Sequence, residues 1–233
     1  MDLSRLEYLV GKEKIAILKT KTVLIAGVGG VGSFVAEALA RSGVGTLILY
    51  DYDVIDSSNV NRQLMVNKAN IGEIKVEALA KHLKEISNCK IVYKNVFIDQ
   101  NTKIPKCDYV VDCIDTLTSK FALVKMCHEL DLPIISSLGS AKRIKPENIK
   151  HTTLDKTRND ALAKAFRALV KKENYKRKID VVYCDSTAIK TNVVCEGNTN
   201  KEKYPLGSSI FVVGSVGLYI ASIVFEKLIE EKK

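Results

Sequence analysis

The chain has 233 residues, a formal net charge of +9, 46% apolar residues and four prolines. That length can bury the core of one large domain, and the composition argues against a disordered chain. Six cysteines, at positions 89, 107, 113, 127, 184 and 195, form no CxxC pair. Neither a zinc site nor a disulfide framework is indicated, and they read as reduced thiols of a cytoplasmic protein.

No secretory signal opens the chain. Ser4 to Leu18 carries apolar residues near helical spacing, interrupted by Gly11, and Ser4 with Glu7 offers a capping box. Arg5, within it, reads on sequence alone as a solvated charge. Thr22 to Gln63 is the most informative stretch. Val23 to Ala26 predicts a strand buried on both faces. Gly27, Gly29 and Gly32 follow in GxGxxG spacing, with Gly30 as an extra glycine, and small and apolar residues from Ser33 to Ser42 continue as a helix. The glycine loop therefore opens a helix whose free amides favour an anion. A second strand, Thr46 to Tyr50, ends in Asp51, where dinucleotide folds place an acid against a ribose hydroxyl. A hydride-transfer enzyme needs little beyond that acid, yet the chain adds Asp53, Asn59, Asn61, Arg62 and Gln63.

Ile71 to Ile86 predicts an amphipathic helix with Lys75 near its start, against the preference of the helix dipole for acids. Lys75 is then either a solvated lysine offset by Glu73 and Glu77 or a phosphate-binding cation. Cys89 to Val96 alternates as a third strand. Tyr109 to Ile114 is a further apolar run, and Asp112 and Asp115 stand at its C-terminal end. Asp112 needs a partner if buried, whereas Asp115 is freer to coordinate magnesium. A helix over Thr118 to Leu130 and a strand over Pro133 to Ser137 complete another βαβ unit.

Lys142 to Lys178 holds 13 Lys or Arg against 4 Asp or Glu, so all of the net charge lies in this segment. A basic run is often only a solvated face. Here it includes a candidate helix, Asp160 to Lys172, and a folded basic face beside a nucleotide site points to a polyanionic substrate. Lys142, Arg143, Lys156, Arg158, Lys164, Arg167, Lys171 and Lys172 are its candidate contacts. Cys184, in the apolar run DVVYC, reads as structural. Ser208 to Phe225 is uncharged over eighteen residues, at the threshold for a membrane span. Its Gly and Ser residues favour a helix buried against the sheet, and no membrane span is expected.

The run GVGGVG followed by DYDVIDSSNVNRQ resembles the activating-enzyme family called HesA/MoeB/ThiF, which includes sulfur-carrier adenylyltransferases and ubiquitin-activating enzymes. The resemblance implies an α/β, Rossmann-like fold with a mostly parallel sheet and helices on both faces, in one domain over residues 1–233. Residues 1–140 would be the ATP-binding part, 141–205 the basic substrate-binding segment and 206–233 a C-terminal packing helix. It implies ATP, not NAD, held by Gly27, Gly29, Gly30, Gly32, Asp51, Asp53, Asn59, Arg62, Gln63 and Lys75, with Mg2+ on Asp115. It also implies a homodimer in which Arg5 reaches the neighbour's phosphates. The family's usual asparagine after the metal-holding aspartate is Thr116 here.

Pro146 to Arg167 resembles the signature of one branch, the tRNA threonylcarbamoyladenosine dehydratases, at Pro146, Ile149, Leu154, Lys156, Thr157, Asp160, Leu162 and Ala163. The missing CxxC pairs agree, since many sulfur-carrier activators hold a zinc with them. Some dehydratases carry a cysteine before the last helix, where this chain has Leu206, Gly207 and Ser208; no catalytic cysteine is assigned, Cys195 included. The resemblance implies tRNA as substrate and leaves room for a sulfur-relay partner. Its chemistry is activation of a carboxylate by ATP, followed by internal attack that closes a ring with loss of water. Arg62, Lys75, Asp115 and a neighbour's Arg5 would stabilise phosphate charge. Two other readings are an adenylyltransferase for the C-terminal glycine of a ubiquitin-like sulfur carrier and a non-catalytic nucleotide-binding protein.

Overall fold

The central strands form where the chain is continuously apolar, and more polar strands lie at the two edges. In the computed structural model, which describes residues 1–190 and 206–230, these are β1 (Thr22–Ala26), β2 (Thr46–Asp51), β3 (Lys90–Asn95), β4 (Tyr109–Asp112), β5 (Ile134–Ser137), β6 (Ile149–Thr153) and β7 (Asp180–Cys184). Among the described residues they make one sheet in the order β3-β2-β1-β4-β5-β7-β6. All pairings are parallel except β6 with β7. β6 and β7 are absent from the sequence-based strand expectations: β7 reads in sequence only as the apolar run DVVYC, and Ile149 to Thr153 of β6 alternate poorly and lie inside the basic run.

The helices are α1 (Ser4–Val10), α2 (Lys12–Leu18), α3 (Gly32–Arg41), α4 (Lys75–Ile86), α5 (Leu117–Glu129), α6 (Ala161–Lys172) and α7 (Ile210–Ile229). Alternation along the strands divides them between two cores. Val23 and Ile25 of β1 pack with residues of α2, α3, α4 and α7, while Leu24 and Ala26 pack with α5 and α6 on the other face. Period-2 side-chain alternation in a strand covered on both sides requires this division. The expected α/β fold with a mostly parallel sheet is the one observed.

Three local expectations are corrected. Helix α4 starts at Lys75, not Ile71, because Gly72 sits at φ +95° and Ile74 is extended. No side chain caps α1: its N-cap is Leu3, and Ser4 instead donates its N–H to Asp2 Oδ1 at 2.8 Å. The third strand is shorter than Cys89 to Val96, and it is an exposed edge. Helix α7 is long and apolar enough to cross a membrane, yet 61% of its apolar stretch is buried within the protein. Close packing on α3 explains its glycines: a Cβ on Gly217 would stand 2.6 Å from the Val31 carbonyl oxygen.

One buried ion pair anchors the C-terminal edge of the sheet. Lys120 Nζ of α5 donates to Asp112 Oδ2 at 2.8 Å, and both side chains are wholly buried. Ser136 Oγ donates to the same oxygen at 2.7 Å, Ile114 N–H to Oδ1 at 3.0 Å, and Lys120 also donates to Ser137 O at 2.9 Å. This answers the requirement that Asp112 have a partner. Removing one member of such a pair strands a buried charge, at about 3–5 kcal/mol. Lys120→Met is therefore expected to lose stability of about that size in urea unfolding, and Asp112→Asn with Lys120→Met is expected to recover part of it.

Candidate active site

In an open α/β sheet the crevice lies beyond the C-terminal strand ends, where the strand order reverses. Here that point falls between β1 and β4, and a cavity of about 950 Å3 opens over it. This is near the upper end of the roughly 300–1,000 Å3 usual for ligand sites. Gly27, Gly29 and Gly30 after β1, Asp51 to Asp53 after β2, Cys113 to Thr116 after β4 and Ser137 to Lys142 after β5 all line it.

Two of the glycines are required by contact. Gly27 has φ +84°, and a Cβ there would lie 2.8 Å from the Cys113 carbonyl oxygen; a Cβ on Gly32 would lie 1.9 Å from the Gly27 carbonyl oxygen. Gly32 therefore packs the loop and does not line the cavity. Asp51 fixes the loop to β2 by accepting from Val28 N–H at 2.7 Å and from Asp53 N–H at 2.8 Å. Burial nevertheless raises its carboxyl above the usual range, with those two hydrogen bonds opposing.

A one-turn helix, Ser57–Asn59, is closed by reciprocal hydrogen bonds between Asp56 and Asn59. It turns the chain so that Arg62 and Gln63 face the cavity. Arg62 Nη1 donates to Ser58 O at 2.8 Å and Asn61 Oδ1 at 2.9 Å. Lys75 is 6% exposed, which removes the solvated-lysine reading. Its Nζ lies 2.6 Å from Asp53 Oδ2, and its N–H donates to Asp53 O at 3.0 Å. Asp53 thus balances a cation held at the cavity wall.

Asp115 is exposed on the loop before α5 and faces the cavity. No group of three or more His, Cys, Asp or Glu capable of holding a metal occurs among the described residues. A single carboxylate fits magnesium, which binds through one or two carboxylates and substrate phosphates. It does not fit a permanently held ion.

The basic candidates separate by burial. Arg143 is 6% exposed, and its guanidinium donates to the carbonyls of Ala141, Asn159 and Ser186. Arg167 donates to both oxygens of Thr157. Arg143 is thereby turned away from a polyanion, its guanidinium committed to carbonyls within the fold, whereas Arg167 is half-buried and bonded through Nη1 alone. Lys156, Arg158, Lys164, Lys171 and Lys172 are exposed, and Lys142 lines the cavity. Arg5 lies outside the cavity, exposed on α1.

Ser119 and Asp160, neither a site candidate on sequence, join Gln63 at the cavity. Gln63 Oε1, Ser119 Oγ and Asp160 Oδ2 are buried without a hydrogen-bond partner, and all three residues line this cavity. Unsatisfied buried polar atoms are rare, so their clustering marks the site, and only tertiary placement reveals it. Among the described cysteines, Cys113 lines the cavity, but burial drives its thiol pKa upward. Cys89 and Cys107 are pushed up to about 11 by burial. None of these three is a thiolate nucleophile near neutral pH. Cys195 lies outside the described residues.

Comparison with known proteins agrees with this geometry. Residues 3–218 match the ThiF family. The tRNA threonylcarbamoyladenosine dehydratase of Bacillus subtilis is 36% identical, covering 98% of this chain and 94% of that protein. The crystal structure of the E. coli tRNA N6-threonylcarbamoyladenosine dehydratase, TcdA, in complex with ATP superposes with a TM-score of 0.86 at 28% identity, covering 97% of this chain and 93% of that one. The molybdopterin-synthase adenylyltransferase of Haemophilus influenzae is 35% identical over 58% of this chain and 55% of that protein. With its glycine loop, its acid-capped second strand and a family match across nearly its whole length, the chain belongs to the ThiF family.

Proposed function

We propose that this protein is an ATP-dependent enzyme that dehydrates N6-threonylcarbamoyladenosine in tRNA by activating its carboxylate. The observation that carries the reading is the extent of the similarity. The dehydratase match spans 98% of the chain, whereas the adenylyltransferase match spans 58%. The second reading, activation of a sulfur carrier's C-terminal glycine, draws on that shorter match.

A carboxylate is a poor electrophile because its oxygen cannot leave. One carboxylate oxygen attacks the α-phosphorus of ATP, pyrophosphate departs, and the adenylate oxygen then leaves as AMP when an internal nucleophile attacks the acyl carbon. That nucleophile gives up its proton, and one water is lost overall. Such intramolecular attack has a high effective concentration, so no catalytic thiol is required. The glycine-loop amides hold phosphate oxygens, and Asp51 accepts from the ribose hydroxyls. Lys75 and Arg62 meet the charge that develops as pyrophosphate leaves. Asn59 supports the turn that carries Arg62 and Gln63. Magnesium, held by Asp115 and the phosphates, would supply charge neutralisation.

Residues 1–140 serve the nucleotide, the basic segment 141–205 the tRNA and the C-terminal helix the packing of the whole. Lys156, Arg158, Lys164, Lys171 and Lys172 present the exposed charge toward RNA. Helix α1 buries none of its residues and leaves Tyr8 and Leu9 outward, which supports a homodimer in which Arg5 reaches the partner's phosphates. Reduced buried thiols fit the cytoplasm.

The deciding assay incubates the protein with ATP, magnesium and tRNA carrying the threonylcarbamoyl group, then weighs the nucleoside. Loss of one water is expected. An unchanged nucleoside, under conditions where a ubiquitin-like carrier becomes adenylated, would select the second reading.

Asp51 gives a pH dependence. Its carboxyl in the free protein holds its proton above the ordinary value of 3.8, while ribose hydroxyls favour the ionised form. ATP affinity should therefore fall as pH drops through that elevated value. Asp51→Asn should lose the Asp51 component and bind about tenfold to a hundredfold more weakly at neutral pH. Calorimetric titration of both proteins against pH separates this from titration of the nucleotide itself.

Arg5→Ala and Lys75→Ala should each be folded and nearly inactive. Mixed after dissociation, they should regain about a quarter of wild-type activity if Arg5 acts across a two-fold interface, since half the dimers are mixed and each has one intact site. No recovery from the mixture would place Arg5 in its own subunit's site or in none.

A further inference from the structure

The segment from Ala141 to Arg143 is tied down more firmly than a surface loop requires. Arg143 reaches Asn159 O at 2.6 Å and Ser186 O at 3.0 Å, and Ser209 Oγ donates to Arg143 O at 3.1 Å. Between them, Lys142 N–H donates to Gly207 O at 2.7 Å, and Lys142 O accepts from Ile189 N–H at 2.7 Å. Five hydrogen bonds from outside the segment therefore hold Lys142 and Arg143. Lys142 itself has φ +58°, a left-handed conformation that a residue with a Cβ adopts at a cost and keeps only when its surroundings over-determine it.

What this arrangement holds is the backbone from which a cavity-lining lysine projects. Four basic side chains line the cavity: Arg62, Lys75, Lys142 and Arg143. The first two belong to the nucleotide side, and Arg143 is consumed by carbonyls. Lys142 makes no ion pair or side-chain hydrogen bond among the described residues. It follows β5, which is two strands along the sheet from β1 and the glycine loop. At the usual strand spacing that offset is roughly 10 Å, the scale of a second group lying beside a bound nucleotide. A lysine meant for the RNA backbone needs no fixed position, because phosphates repeat along the strand and a flexible side chain can reach one. A lysine meant for one carboxylate inside a cavity does need a fixed position.

We propose that Lys142 receives the free carboxylate of the acceptor substrate and orients it toward the α-phosphorus of ATP. This rests on the dehydratase reading and adds to it the residue that binds the reacting group. One carboxylate oxygen pairs with Lys142 Nζ while the other forms the bond to phosphorus, the bond from phosphorus to pyrophosphate breaks, and no proton moves. Once the acyl adenylate has formed, the carboxylate charge is gone. The ion pair is released, freeing the acyl carbon for ring closure.

The test compares wild type, Lys142→Met and Lys142→Arg, with tRNA bearing the threonylcarbamoyl group and the same tRNA lacking it. Urea midpoints check that all three proteins are folded. Lys142→Met is expected to lower kcat/KM for the modified tRNA by about tenfold to a hundredfold. Its Kd for ATP and for the unmodified tRNA should stay within about twofold of wild type, and the slope of log affinity against log salt should be unchanged. Lys142→Arg should recover part of the loss.

Equal weakening toward both tRNAs, with a shallower salt slope, would make Lys142 a backbone-phosphate contact and overturn the proposal. Weaker ATP binding would make it a nucleotide contact, with the same result. An active wild type with an equally active Lys142→Met would sink this inference alone. A wild type that leaves the modified nucleoside unchanged would sink the dehydratase reading and this inference together.

Discussion

The contact between Asp112 and Lys120 holds the site together. A carboxylate at the end of a central strand, covered on both faces, cannot remain ionised without compensation. Lys120, Ser136 and the Ile114 amide supply it, and the lysine's further bond to Ser137 ties β5 to the same centre. Three elements are locked there: the end of β4, the end of β5 and the second turn of α5. The loop between β4 and α5, which carries Asp115, is thereby stretched between fixed posts. The Cys113 carbonyl meets Gly27 from that same loop. The glycine turn and the candidate metal carboxylate are consequently positioned against one another by a pair of charges that no ligand touches.

The same economy runs through the cavity. Lys75 is restrained by Asp53 before any ligand arrives, and the backbone that carries Lys142 is held by the segments around it. Preorganised charge is effective because little reorganisation remains to be done when phosphate charge develops. The orphaned oxygens of Gln63, Ser119 and Asp160 belong to the same logic, as buried polar atoms left without partners at the place where a ligand would enter. Stability is given up locally and recovered in the two cores on either face of the sheet.

The glycine-loop strands and the basic face occupy different parts of that sheet. The ends of strands β1, β2 and β4 carry the glycine loop, Asp51 and Asp115. Beyond β5 lie β7, the antiparallel β6 and helix α6, whose exposed lysines make up much of the basic face. Arg143, from the same basic run, ties this part to the loop after β5, and Arg167 closes the turn before α6 onto its own helix. A positive segment thus divides into charges that build the fold and charges left for a partner.

The amino-acid sequence by itself determined the two-sided sheet, the glycine turn, Asp51, the Arg62 to Gln63 segment, Lys75 and Asp115. Most are legible because they lie within a few residues of a strand end or helix start, so spacing along the chain fixes their place in space; Arg62 and Gln63 are legible only through the motif they share with the family. Only the tertiary structure decided which arginines of the basic run are buried, that Lys120 is the partner Asp112 requires, that Asp53 holds Lys75, and that Lys142 stands in a cavity. Burial and pairing depend on which distant segments close over a side chain. A lysine among thirteen basic residues looks the same in sequence whether it faces water, a carbonyl or a substrate.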